Sequence, residues 1–97
     1  MGRVALFCEL HVIQKYMEEF LPLIRTHAQT CLEMESGCLI FRVSQDRESS
    51  TVIRIYEEYL GQQDLDNHNS TDRFIELNRS IEHMLSQVIV NTTDLCE

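Results

Sequence analysis

Glu57 and Glu58 stand side by side in the run Arg54-Ile55-Tyr56-Glu57-Glu58-Tyr59-Leu60, and His68 follows in the next segment. Adjacent side chains of a strand point to opposite faces, so one carboxylate must turn inward wherever one side of the sheet is covered. Glu57 shares its side with Ile53 and Ile55. In apolar surroundings a carboxylate holds its proton more tightly or takes a partner. So tuned, it can act as a general base or hold a histidine in its useful tautomer. The competing role is a structural hydrogen bond to a backbone amide or an arginine. Glu58 shares the opposite side with Arg54, which points to an ion pair there or across a subunit boundary.

His68 lies in a polar turn, where functional side chains concentrate but where many histidines are merely solvated. His27 stands one step off an apolar helical stripe, between Ile24 and Cys31, as a half-buried candidate or a core residue. His83 falls on a polar helix flank and receives no role. The cysteines Cys8, Cys31, Cys38 and Cys96 show no CxxC spacing, and His11, His27, His68 and His83 show no HxxxH. Local spacing therefore predicts no metal centre, and only ligands gathered from distant segments would make one. No basic neighbour in sequence activates Cys31 or Cys38 as a nucleophile.

The elements that must position these groups follow from periodicity. Val4 to Val12 alternates, with Val4, Leu6, Cys8, Leu10 and Val12 on one face, and reads as a strand. From Ile13 to Glu35 the period lengthens to a helical stripe of Ile13, Met17, Phe20, Leu21, Ile24, Ala28 and Cys31. Pro22 predicts a kink or a late helix start, and Gly37 is expected to close the helix as a left-handed cap. Cys38 to Gln45 and Thr51 to Leu60 read as a hairpin across a polar link. A turn with a short helical segment occupies Gly61 to Asn69. A helix from about Thr71 to Gln87 is expected to start from an Asn69 or Ser70 cap and to bury Phe74, Leu77 and Ile81. A last strand opens at Val88 and reaches Leu95. The order β-α-β-β-α-β predicts an α+β ferredoxin-like sandwich, with both helices on one face of a four-stranded sheet. The hairpin strands carry large apolar groups on both faces, including Tyr56 and Ile40 on the uncovered one, which predicts a sheet-against-sheet homodimer.

With 97 residues the chain is a single domain, and its 16 acidic against 8 basic residues leave a net charge of −8. That balance argues against nucleic acid and anionic membranes as partners and leaves a small-molecule substrate. The start MGRVALFCELHV turns polar too soon for a secretory signal, so free thiols and a cytoplasmic location are expected.

Several short motifs occur in a shared order: Glu35-Ser36-Gly37-Cys38-Leu39-Ile40-Phe41-Arg42-Val43, then Gln45-Asp46, Ile55-Tyr56-Glu57 and Tyr59, then His68, Ser70-Thr71 and Phe74. Over about residues 4 to 90 this series resembles the antibiotic biosynthesis monooxygenase domain, nearest to the small quinol monooxygenases and the proteins that process phosphorylated autoinducer-2. Ser36 departs from the family pattern, which has a proline there. The resemblance implies a ferredoxin-like dimer that oxidises a quinol or polyphenol with dioxygen and no metal, flavin or other cofactor. Its implied pocket residues here are Glu57, His68 and Phe74, with Phe41 and His27 as walls. His68, oriented by Glu57, is then the expected catalytic base. The alternatives are an isomerase of a phosphorylated ketose, with Arg25 or Arg73 holding phosphate, and a ligand-binding dimer without chemistry. The haem-degrading branch is set aside, because the chain has no tryptophan and Asn78 stands where that branch has a helix histidine.

Overall fold

A computed structural model describes residues 2–97. Strands β1 (Val4–Val12), β2 (Cys38–Gln45), β3 (Val52–Tyr59) and β4 (Leu85–Asp94) form one antiparallel sheet in the order β2-β3-β1-β4. Helices α1 (Met17–Met34), α2 (Gln62–Asn69) and α3 (Asp72–Ile81) lie against one face of it. This is the ferredoxin-like α+β sandwich that the periodicity predicts, with the short helical segment before α3 realised as α2.

The alternation of β1 sets the two faces. Val4, Leu6, Leu10 and Val12 are buried beneath the helices with Phe20, Ile24, Ala28 and Cys31 of α1. Register continues this side across the sheet, placing Leu6 opposite Glu57 and Glu57 opposite Phe41. The other face carries Phe7, 49% exposed, in edge-on contact with Tyr56 at 5.0 Å between ring centres, and Ile89, 38% exposed.

Several local expectations need correction. Ile13 is exposed and outside the stripe, because a 3-10 turn at Gln14–Tyr16 precedes α1. The helix starts at Met17 behind that turn, five residues before Pro22, so Pro22 does not set its start and sits inside it on the solvent side. Pairing between β2 and β3 shifts register between Cys38 and Ile40, so Cys38 drops into the core despite the alternation of its neighbours. Helix α3 stops at Ile81, and a 3-10 turn leads straight into β4 at Leu85, three residues earlier than Val88. The β-branched run that follows Ser86 and Gln87 pairs along the whole of β1, and that tertiary gain outweighs helix continuation. The cap of α3 is Thr71, whose Oγ1 accepts from the Phe74 N–H at 3.2 Å, rather than Asn69 or Ser70. Glu58 pairs with Arg3 at 3.7 Å and accepts from the Tyr56 hydroxyl at 2.8 Å, while Arg54 pairs with Glu9 and Asp46.

Gly37 is not in a left-handed conformation. Its role is close approach, since a Cβ there would lie 2.6 Å from the Cβ of Asp64 on the first turn of α2. Rotating the Asp64 carboxylate does not clear that contact, so any side chain at position 37 displaces α2. Gly37→Ala is expected to cost about 1–3 kcal/mol in stability. Combined with Asp64→Gly, which removes the obstructing atoms, most of that loss should disappear in a denaturant double-mutant cycle. Strictly additive losses would show that α2 does not rest on Gly37.

Candidate active site

The docking of α2 on Gly37 carries His68 inward. Leu65 and His68, three residues apart on α2, both face the sheet, and His68 is 2% exposed. The Thr71 hydroxyl donates to the His68 carbonyl at 2.8 Å while capping α3, so one side chain fixes the end of one helix and the start of the next.

Two carboxylates face the imidazole, one on each side. Glu35, at the C-terminal cap of α1, places Oε1 2.8 Å from Nδ1 of His68, and its Oε2 accepts from the Arg73 guanidinium at 2.7 Å. Burial alone would raise the Glu35 carboxyl, but Arg73 and His68 outweigh it and hold the group below the usual range. An ionised carboxylate only accepts, so the Nδ1 of His68 carries the proton and a neutral ring leaves Nε2 bare. Glu57 Oε1 lies 3.9 Å from that Nε2. It accepts from the Tyr59 hydroxyl at 2.6 Å, and the Cys8 thiol approaches its Oε2 at 3.6 Å. Burial dominates at Glu57, flanked by Leu6 and Phe41, and raises its carboxyl above the usual range. The Cys8 thiol is pushed up to about 12, by burial first and then by Glu57.

The structure thus brings together all five residues predicted for the site, with one role exchanged. Glu35, not Glu57, makes the short bond that orients His68, while Glu57 faces the other ring nitrogen across a gap. Glu35 opens the first of the short motifs in the sequence, but its spacing assigns it no role, because its partners come from α2 and α3. Phe41 and Phe74 pack on His68 at 6.2 and 5.0 Å between ring centres. His27 stands 5.8 Å from His68 and 5.7 Å from Phe41, and its imidazole is lowered to about 4 by burial and then by His68. These groups wall a cavity of about 460 Å³ between sheet and helices, with Leu77 and Asn78 of α3 above and Val88 and Val90 of β4 at its side. Neither Arg25 nor Arg73 lines it, and Arg73 is held by Glu35.

The raised Glu57 carboxyl makes a prediction with a definite sign. Its folded-state pKa exceeds that of the unfolded chain, so its contribution is complete below the ordinary carboxylate value of about 4.3 and is lost as pH rises through the folded value. Glu57→Gln removes this titration. The variant should melt above the parent at about pH 8, and the gap should close by about pH 4. A gap that does not change with pH would remove burial as the cause.

The sequence model of the antibiotic biosynthesis monooxygenase family matches residues 3–80. No curated protein sequence matches the chain. Among solved structures, a Caulobacter crescentus CB15 protein provisionally given the same family name superimposes with a TM-score of 0.94 at 21% identity, over 99% of this chain and 92% of that one. A conserved protein from Methanosarcina mazei Go1 gives 0.90 at 23%, over 97% and 93%. PA3566 from Pseudomonas aeruginosa gives 0.90 at 21%, over 100% and 97%. At these identities the structures attest the fold, and the family match covers most of the chain. The chain belongs to the antibiotic biosynthesis monooxygenase family.

Proposed function

We propose that the protein is a cofactor-independent monooxygenase of a small quinol or polyphenol, with His68 as general base. The observation that supports this most is the Glu35-bound His68, whose bare Nε2 meets Glu57 in a largely apolar cavity. His68 Nε2 takes the phenolic proton. The imidazolium so formed is stabilised through its Nδ1–H by Glu35, which Arg73 holds in place. The phenolate gives an electron to dioxygen in surroundings that contain little water, and a carbon–oxygen bond forms at the ring. One oxygen atom stays on the ring carbon and the other leaves as water, so a quinol and O₂ become a hydroxyquinone and H₂O. The substrate supplies all four electrons, and no separate reductant is needed. Glu57, whose carboxyl burial raises above the usual range, faces the same nitrogen and is the group proposed to return a proton to the departing oxygen.

The phosphorylated-ketose reading has less support, because no arginine or lysine lines the cavity among the described residues. The same proposal includes a homodimer in the cytoplasm, formed through the uncovered sheet face with Phe7, Tyr56 and Ile89.

His68→Ala should lower oxygen uptake with a quinol that is turned over by about 10²–10⁴-fold. Unchanged uptake would remove His68 from the reaction. Light scattering at micromolar concentration should give twice the chain mass of 11.4 kDa, and a monomeric mass would contradict the dimer.

A further inference from the structure

His27, Cys31 and Glu35 recur every four residues along the last turns of α1, and α2 sets His68 against the same stripe. The spacing escapes a search for CxxC or HxxxH, yet the fold closes it into a cluster. A nitrogen of His27, the thiol of Cys31 and a nitrogen of His68 lie within 4.8 Å of one another, and all three residues are buried. We propose that His27, Cys31 and His68 form a binding site for a thiophilic divalent cation of the zinc class, with Glu35 as the adjacent fourth donor.

The donor chemistry fits. Two imidazoles and one thiolate suit a borderline-soft ion and discriminate against magnesium and calcium, which prefer oxygen. In a tetrahedral site with ordinary zinc bond lengths, sulfur and nitrogen donors stand roughly 3.6 Å apart. His27 Nε2 and Cys31 Sγ are already 3.4 Å apart, and the helix backbone holds them there. The other pairs lie within 4.8 Å and need to close by at most about 1–1.5 Å to reach tetrahedral spacing, within reach of side-chain rotation. Glu35 Oε1, 2.8 Å from the His68 ring, supplies negative charge beside the ion, while Arg73 binds the other oxygen of that carboxylate. Glu57 lies on the far side of His68 and adds a second carboxyl near the cluster. Access is by the cavity, which His27 and His68 line and Cys31 does not. On binding, the Cys31 S–H bond breaks and its proton goes to solvent, while His68 loses its Nδ1 proton and takes one up on Nε2 beside Glu57, so that the electron pairs of the sulfur and of Nδ1 form the bonds to the ion.

The site shares His68 with the reaction proposed above, so an ion bound there would silence that reaction. The binding itself does not depend on it, and the test uses no turnover. Co²⁺ titrated into the full reduced chain should bind at one equivalent, with a thiolate-to-cobalt charge-transfer band and the intense visible bands of tetrahedral cobalt. Zn²⁺ should abolish both. Cys31→Ser should remove the charge-transfer band and weaken binding at least about tenfold, whereas the triple variant Cys8→Ser, Cys38→Ser, Cys96→Ser should keep the full spectrum. Should Cys31→Ser fail to fold by circular dichroism, His27→Gln on the cavity wall replaces it, with the same loss of affinity expected. A band that survives in Cys31→Ser, weak bands of octahedral cobalt alone, or no binding would each overturn the site.

Discussion

The bond between Glu35 and the Nδ1 of His68 is the interaction on which the rest of the site depends. It joins the end of α1 to the end of α2 at 2.8 Å, and through Arg73 it ties both to α3. A half-buried carboxylate still carries a desolvation cost unless its oxygens are satisfied. Here one oxygen faces an imidazole and the other a guanidinium. That arrangement keeps Glu35 ionised, and an ionised Glu35 determines which ring nitrogen carries the proton. The orientation and the tautomer of His68 are thus consequences of one carboxylate with two partners.

Glu57 illustrates the opposite outcome for the same functional group. It sits between Leu6 and Phe41 on a sheet face covered by helices, with neutral donors as its hydrogen-bond partners. Without a cation in contact, burial governs and raises the carboxyl above its usual range. Two carboxylates on either side of one histidine are therefore pushed in opposite directions by their surroundings. Such a divergence sets two carboxylates of one small cavity apart in proton affinity.

The fold was legible in the sequence because the periods of β1, α1 and the hairpin are long and unbroken. The inward direction of Glu57 followed from its spacing to Ile53 and Ile55. The role of Glu35 was not legible, because it depends on the packing of α2 against Gly37 and of Arg73 across from α3. The depth of Cys38 is not legible in the sequence, because a register shift breaks the alternation that assigns the faces. The end of α3 was placed too late because Met84 and Leu85 continue its apolar spacing while already belonging to the turn and to β4. Phe74 and Leu77, expected to be buried, are half-exposed because the cavity lies beneath them. At Gly37 the constraint comes from Asp64 and not from backbone handedness, so the position is special for a reason that the helix pattern does not carry.

The tautomer of His68 tests the account most directly. Nitrogen-15 resonances of the histidine rings, assigned by comparison with His68→Ala, distinguish a bare ring nitrogen from one that carries a proton. In the neutral ring, Nδ1 of His68 should report a hydrogen-bonded N–H and Nε2 an unprotonated nitrogen, and Glu35→Gln should weaken that preference. A neutral His68 with its proton on Nε2 and a bare Nδ1 would contradict the assignment of Glu35 as the group that sets the tautomer of His68.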